Sequence, residues 1–179
     1  MCGIIAAATD RSVGKLLVQG LHKMEYRGYD SAGVALHQED GVAHLRTLGK
    51  VNSLEERMIQ EKPRGKVGIA HTRWATHGEP SESNAHPHAS KNRVFIVHNG
   101  IIENYLDLKN DLSKKGYVFQ SQTDSELIAH LIDSFLNSGK NMIESMQFLK
   151  ANLKGAYAIA AIDQEDSNNF YLARNKSPL

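Results

Sequence analysis

Apolar positions along the chain fall into two rhythms, and together they outline a mixed α and β domain. Cys2–Ala8 is a short unbroken apolar run that reads as a buried strand. Val13, Leu16, Leu17, Gly20, Leu21 and Met24 then recur at helical spacing. Ala32–His37 and Val42–Leu48 flank the turn Glu39-Asp40-Gly41 and predict a hairpin. Ser53 with Glu56 has the form of a capping box, so a helix is expected from there to about Gln60, broken by Pro63 and Gly65. Val67–Thr72 and Arg93–His98 read as strands, whereas residues 73–92 between them have no hydrophobic period. Tyr105, Leu108 and Leu112 mark a helix ended by Gly116. Thr123 with Glu126 suggests a second capping box ahead of Leu127–Leu136, and Asn141 with Glu144 opens a helix through Leu153. Ala156–Ile162 and Phe170–Arg174 predict a last pair of strands. Strands and helices cluster without strict βαβ alternation, which predicts an α+β layered fold in one domain over residues 1–179.

Composition narrows the function classes. With 21 Lys+Arg against 20 Asp+Glu the formal net charge is +1, which argues against a nucleic-acid binder. Hydrophobic residues make up 41%, enough for a packed core. The single cysteine leaves no internal disulfide and too few thiolates for a Cys-based zinc site. No apolar run approaches the ~18 residues of a membrane span, and the N-terminus lacks the form of a signal peptide. A cytoplasmic protein with no membrane partner is expected.

Five places could carry chemistry. Removal of Met1, which a small second residue permits, would leave Cys2 at the N-terminus. An α-amine ordinarily titrates at about 7.7–8.0, so one residue would then supply both nucleophile and base; the alternative is a buried small side chain in a core strand. Arg73 offers a bidentate grip on a carboxylate, and Trp74 sits on a long irregular segment with the character of a lid; the alternative is a surface Arg and a core Trp. Asn99-Gly100 ends a strand and could supply two oxyanion donors, or simply form a tight turn. Asp124 lies in a helix-opening segment and needs no further role. Five of the nine histidines fall between 71 and 98, and His86-x-His88 has the form of a metal pair, but no matching Cys or Glu spacing supports it.

Taken in order, Met1-Cys2-Gly3-Ile4, Glu25–Gly33, His71–Pro80 (HTRWATHGEP), Asn84–His88, Val97–Asn104 and Thr123–Glu126 resemble the N-terminal glutaminase domain of the glutamine–fructose-6-phosphate aminotransferases, over essentially the whole chain. The resemblance implies an N-terminal-nucleophile hydrolase fold, a four-layer αββα sandwich. It implies hydrolysis of L-glutamine by Cys2, with Asn99 and Gly100 forming the oxyanion hole and Arg27 and Gly28 beside the nucleophile. Arg73 would hold the substrate α-carboxylate and Asp124 its α-ammonium, with Thr76 and His77 lining the pocket and Trp74 on the closing loop. No cofactor and no metal are implied. The family continues beyond the Ser177-Pro178-Leu179 segment, so the domain is expected to be truncated at its C-terminal end. Fructose 6-phosphate would be used by domains outside the chain, and a homo-oligomer is implied at full length. A stand-alone amide hydrolase and a non-catalytic glutamine-binding domain of the same fold remain as alternatives. A retained Met1 would turn the Cys2 amine into a peptide and favour the second of these.

Overall fold

The computed structural model describes residues 2–75 and 78–178. Its strands are β1 (Gly3–Ala8), β2 (Ser31–Gln38), β3 (Gly41–Leu48), β4 (Val67–Arg73), β5 (His88–Ser90), β6 (Val94–Gly100), β7 (Tyr157–Asp163) and β8 (Tyr171–Asn175). Its helices are α1 (Gly14–His22), α2 (Val51–Glu61), α3 (Tyr105–Lys114), α4 (Glu126–Leu136) and α5 (Met142–Asn152), with one 3-10 turn at Glu25–Arg27. Two antiparallel sheets form, ordered β1-β4-β2-β3 and β5-β6-β7-β8.

Strand periodicity explains the layering. Side chains alternate between faces, so successive residues of one strand serve different layers. Val34 and Leu36 of β2 meet Leu17 and Leu21 of α1 and Leu54 of α2 on the outside. Ala35 between them points inward and joins Ile69, Phe95, Val97, Ala160 and Ile162, the apolar layer between the sheets. On the far side Ile96 and Ile159 meet Leu127, Ile128 and Ile132 of α4 and Leu149 of α5. The result is the expected αββα sandwich. The central strands are covered on both faces, which is why they read as unbroken apolar runs. Each fully buried Leu or Ile contributes about 1.5–3 kcal/mol of transfer free energy.

Three local expectations are corrected. The helix α2 starts at Val51, ahead of the expected Ser53 cap, because the Tyr29 hydroxyl accepts the Val51 N–H at 2.8 Å and so serves the helix end from another part of the chain. Neither Ser53 nor Thr123 caps a helix. Thr123 pairs instead with His88 Nε2 at 2.9 Å, while the Glu126 carboxylate accepts the N–H groups of Gln120 (2.9 Å) and Ser121 (2.7 Å). Only at α5 does the box form: Asn141 accepts from the Glu144 N–H at 2.9 Å and Glu144 from the Asn141 N–H at 3.0 Å. The aperiodic stretch 73–92 contains the short strand β5 and a buried turn. Asn84 ties that turn down, donating to the Glu79 carbonyl (2.9 Å) and accepting from the Gln122 N–H (2.8 Å). Its backbone lies so close to β2 that a Cβ on Gly33 would stand 2.1 Å from the His86 carbonyl oxygen, so only glycine fits there.

Candidate active site

Register brings the site together. Gly3 of β1 pairs with Thr72 of β4, and its N–H donates to Thr72 Oγ1 at 3.2 Å. Cys2 therefore falls beside the point where Arg73 and Trp74 leave β4. The Trp74 backbone brackets the sulfur: its N–H donates to Cys2 Sγ at 3.2 Å, and its carbonyl lies 3.8 Å from the same sulfur. The second sheet delivers Asn99 and Gly100 from the end of β6. They pair with Ala158 and Tyr157 of β7, and Ile101 N–H continues the ladder to Ala156, so the tight-turn alternative for Asn99-Gly100 is excluded. Gly100 has φ +134°, and a Cβ there would sit 2.1 Å from the Ala156 carbonyl oxygen; the position demands glycine. Asn99 bridges the two sheets, with Nδ2 donating to the Cys2 carbonyl at 3.3 Å and Oδ1 lying 2.8 Å from His71 Nε2.

Cys2, Arg27, Arg73, Trp74, Asn99, Gly100 and Asp124 all line one cavity of about 580 Å³. The Arg73 guanidinium is buried, with 4% of the residue exposed. It donates to the Gly78 and Glu79 carbonyls at 3.3 and 3.5 Å and lies 3.8 Å from the Asp30 carboxylate. Asp124 precedes α4, and its Oδ2 accepts the Ile102 N–H at 2.8 Å. Arg27 reaches the cavity from the 3-10 turn, with Nε 3.2 Å from the Tyr26 hydroxyl. Trp74 is half-exposed, neither core nor fully surface. Gly28 does not line the cavity; at φ +73° it lies beneath the Trp74 ring, where a Cβ would meet the indole at 2.3 Å. Thr76 and His77 lie outside the described residues.

Three residues to which the sequence analysis assigns no individual role also stand at the site. Asp30 accepts the Ala75 N–H and the Ser31 hydroxyl, fixing the start of the loop that bears Trp74. His98 lines the cavity and bonds Ser125 Oγ at 2.8 Å. His71 sits behind Asn99. All three lie inside the motif segments, Asp30 in Glu25–Gly33, His71 in His71–Pro80 and His98 in Val97–Asn104, but membership of a motif does not say what they touch.

Three of the clustered histidines, His71, His86 and His88, form a buried stack. The His71 and His86 ring centres lie 4.2 Å apart and those of His86 and His88 4.5 Å apart. Among the described residues, no three His, Cys, Asp or Glu side chains converge as a metal site. Burial lowers the imidazole pKa to about 4 at His44, His71 and His98 and to about 3 at His88, and it holds His86 well below 6.5. These rings fold neutral, whereas the unfolded chain takes up protons below about 6.5. Stability should therefore be level above about pH 7 and fall as pH drops from 6.5 toward 4, by roughly 1.4 kcal/mol per pH unit for each such proton as a ceiling. His22, raised by its bond to Glu25, has the opposite sign but is one group against five. Urea midpoints at pH 7.5, 6.5 and 5.5 check this; an unchanged midpoint at 5.5 would contradict it.

A four-layer αββα sandwich with a cysteine at the head of its first strand, facing a cavity that also carries charged and amide side chains, defines the N-terminal-nucleophile hydrolase class. Comparison with known proteins narrows it. The glutamine amidotransferase domain model matches residues 71–179, and the chain belongs to that family. The chain is 52% identical to the glutamine–fructose-6-phosphate aminotransferase (isomerizing) of Haemophilus ducreyi and 49% identical to that of Acinetobacter baylyi, in each case over 100% of this chain and 29% of the relative. Among solved structures it is similar to the glutamine phosphoribosylpyrophosphate amidotransferase of B. subtilis, with a TM-score of 0.76 and 25% identity over 92% of this chain and 35% of that one. A structure described as the allosteric regulatory enzyme of purine biosynthesis gives 0.78 and 27% over 92% and 36%. Among the described residues no helix is long and apolar enough to cross a membrane.

Proposed function

We propose that this chain hydrolyses L-glutamine to glutamate and ammonia through a thioester on Cys2. The observation that carries the reading is the charge pattern of one cavity of about 580 Å³: a buried cation, Arg73, an anion, Asp124, a thiol, Cys2, and the amide of Asn99 all line it. Glutamine is a zwitterion with a neutral side-chain amide, and it requires that set. Arg73 takes the α-carboxylate and Asp124 the α-ammonium. The Cys2 sulfur attacks the side-chain carbonyl carbon while the free α-amine of Cys2 takes the thiol proton. The carbonyl oxygen becomes an oxyanion, held by the Asn99 side chain and the Gly100 N–H. As the tetrahedral centre collapses, the amine returns the proton to the departing nitrogen, and ammonia leaves. Water then attacks the thioester, releasing glutamate and restoring the thiol. In this reading Trp74 rides on the closing loop, Thr76 and His77 are assigned to the pocket lining, and Arg27 borders the nucleophile.

This chemistry needs Met1 removed. Intact-mass measurement should find a chain beginning at Cys2, with ammonia and glutamate released from glutamine in equal amounts. Amides lacking the α-amine or the α-carboxylate should be poor substrates. If they react as fast as glutamine, the chain is a general amide hydrolase; if Met1 is retained and glutamine binds without turnover, it is a binding domain.

The chain spans 29% of the length of the curated relatives it matches. In the setting their name describes, the ammonia made here would be transferred to fructose 6-phosphate by sequence beyond these 179 residues. A cytoplasmic homo-oligomer with no nucleic-acid or membrane partner fits that reading.

Arg73→Lys tests the substrate grip. A single ammonium keeps the charge but cannot reproduce a two-pronged carboxylate contact. KM should rise by the equivalent of about 1.5–3 kcal/mol, with kcat less affected. An unchanged KM would leave Arg73 as a structural clamp on the Gly78 and Glu79 carbonyls.

A further inference from the structure

We infer that His71 is a positioning residue for the glutaminase reaction: through an Nε2–H tautomer it locks the Asn99 amide so that its nitrogen, not its oxygen, faces the reacting centre. This rests on the reading of Asn99 as an oxyanion donor.

The polarity of the hydrogen bonds fixes the direction. The Cys2 carbonyl can only accept, so the Asn99 atom 3.3 Å from it is the amide nitrogen. An amide nitrogen has two hydrogens; one goes to Cys2, and the second remains for the cavity that Asn99 lines. The amide oxygen must then turn away from the thiol, and 2.8 Å from it stands His71 Nε2. An amide oxygen only accepts, so the proton on His71 sits on Nε2. The other ring nitrogen, Nδ1, is buried without a well-formed hydrogen bond, the cheaper condition for a lone pair than for an N–H, although the His98 backbone carbonyl also acts on the ring and favours its protonated form. Were the proton on Nδ1, the lone pairs of Nε2 and the Asn99 oxygen would face each other. The amide would then be driven to flip, placing its oxygen against both the Cys2 carbonyl and the developing oxyanion. His71 is completely buried on β4, inside the sandwich and behind Asn99, so water cannot take over its role.

The experiment combines kinetics with a direct view of the ring. His71→Leu should lower kcat by about 10- to 100-fold with KM little changed, less than outright loss of a donor because the amide remains but wanders. His71→Gln, whose terminal N–H₂ can reach the same oxygen, should recover most of that loss. In an Asn99→Ala background, His71→Leu should cost less than about twofold more, because the group it holds is gone. A full loss in that background, or a folded Gln variant no better than Leu, would overturn the role. Nitrogen-15 spectra of the full chain labelled at histidine should show His71 protonated at Nε2 and bare at Nδ1 from pH 5.5 to 8. The opposite tautomer would overturn it whatever the kinetics, and this readout stands if the Leu variant does not fold. Absence of any hydrolysis by the unsubstituted chain would instead count against the Cys2 reading.

Discussion

Cys2→Ala should abolish ammonia release from glutamine, by a factor on the order of 10⁴ or more, while the protein still folds and still binds glutamine. Loss of a covalent nucleophile removes a whole reaction path and not merely one contact along it. Folding should survive because the sulfur's partners are the backbone N–H and carbonyl of Trp74, at the edge of the cavity and outside the three apolar layers. Binding should survive because the groups assigned to the zwitterion, Arg73 and Asp124, come from β4 and the α4 entrance and not from the segment that bears Cys2. Steady-state ammonia release and calorimetric titration with glutamine check the two halves. The glutamine analogue 6-diazo-5-oxo-norleucine should add one equivalent to the parent chain, at Cys2, and none to the variant. A variant that keeps more than about a tenth of the activity would remove the nucleophile assignment.

The fold was legible where burial made the pattern simple. The strands β2, β4, β6 and β7 are covered on both faces, so they stand out as apolar runs, and α1, α4 and α5 show helical spacing against one sheet face. Helix starts were less legible. The same Ser/Thr/Asn-x-x-Glu spelling occurs at Ser53, Thr123 and Asn141, but it caps only α5. At α2 a tyrosine from the strand-entry segment takes the first N–H, and ahead of α4 the glutamate is turned back to the Gln120–Ser121 backbone. Those outcomes depend on residues far along the chain, which no local spelling contains. Strand β5 escaped notice because three residues are too few to display a period.

The site divides in the same way. Cys2, Arg73, Asn99, Gly100 and Asp124 sit at the ends of elements, and the structure brings all five to one cavity. Their supports did not announce themselves. His71 looks like one member of a histidine-rich stretch, and His86-x-His88 like a metal pair; only the stacking of the two sheets shows His71 against Asn99 and His86 between His71 and His88. Asp30 has the look of an ordinary turn acid until the β4 exit is folded onto it.

Asn99→Ala should lower kcat by roughly 10²–10³-fold, the range for losing one oxyanion-hole donor, and KM should move little because the donor acts on charge that develops at the transition state. Asn99→Asp should be worse than Ala. The replacement is nearly the same size and could still accept from His71 Nε2. At the atom now held by Nδ2, however, it would put a carboxylate oxygen about 3.3 Å from the Cys2 carbonyl and against the oxyanion. A purely structural Asn99 predicts the reverse ranking, since Asp preserves one of the two bonds that Asn99 makes to the other sheet's side and Ala preserves neither. The deciding measurement is kcat for Asn, Ala and Asp at position 99 on protein shown to be folded by circular dichroism. Melting temperatures from the same samples separate the two effects. If Asp equals or exceeds Ala in kcat, the amide nitrogen is not an oxyanion donor, and the role inferred for His71 falls with it.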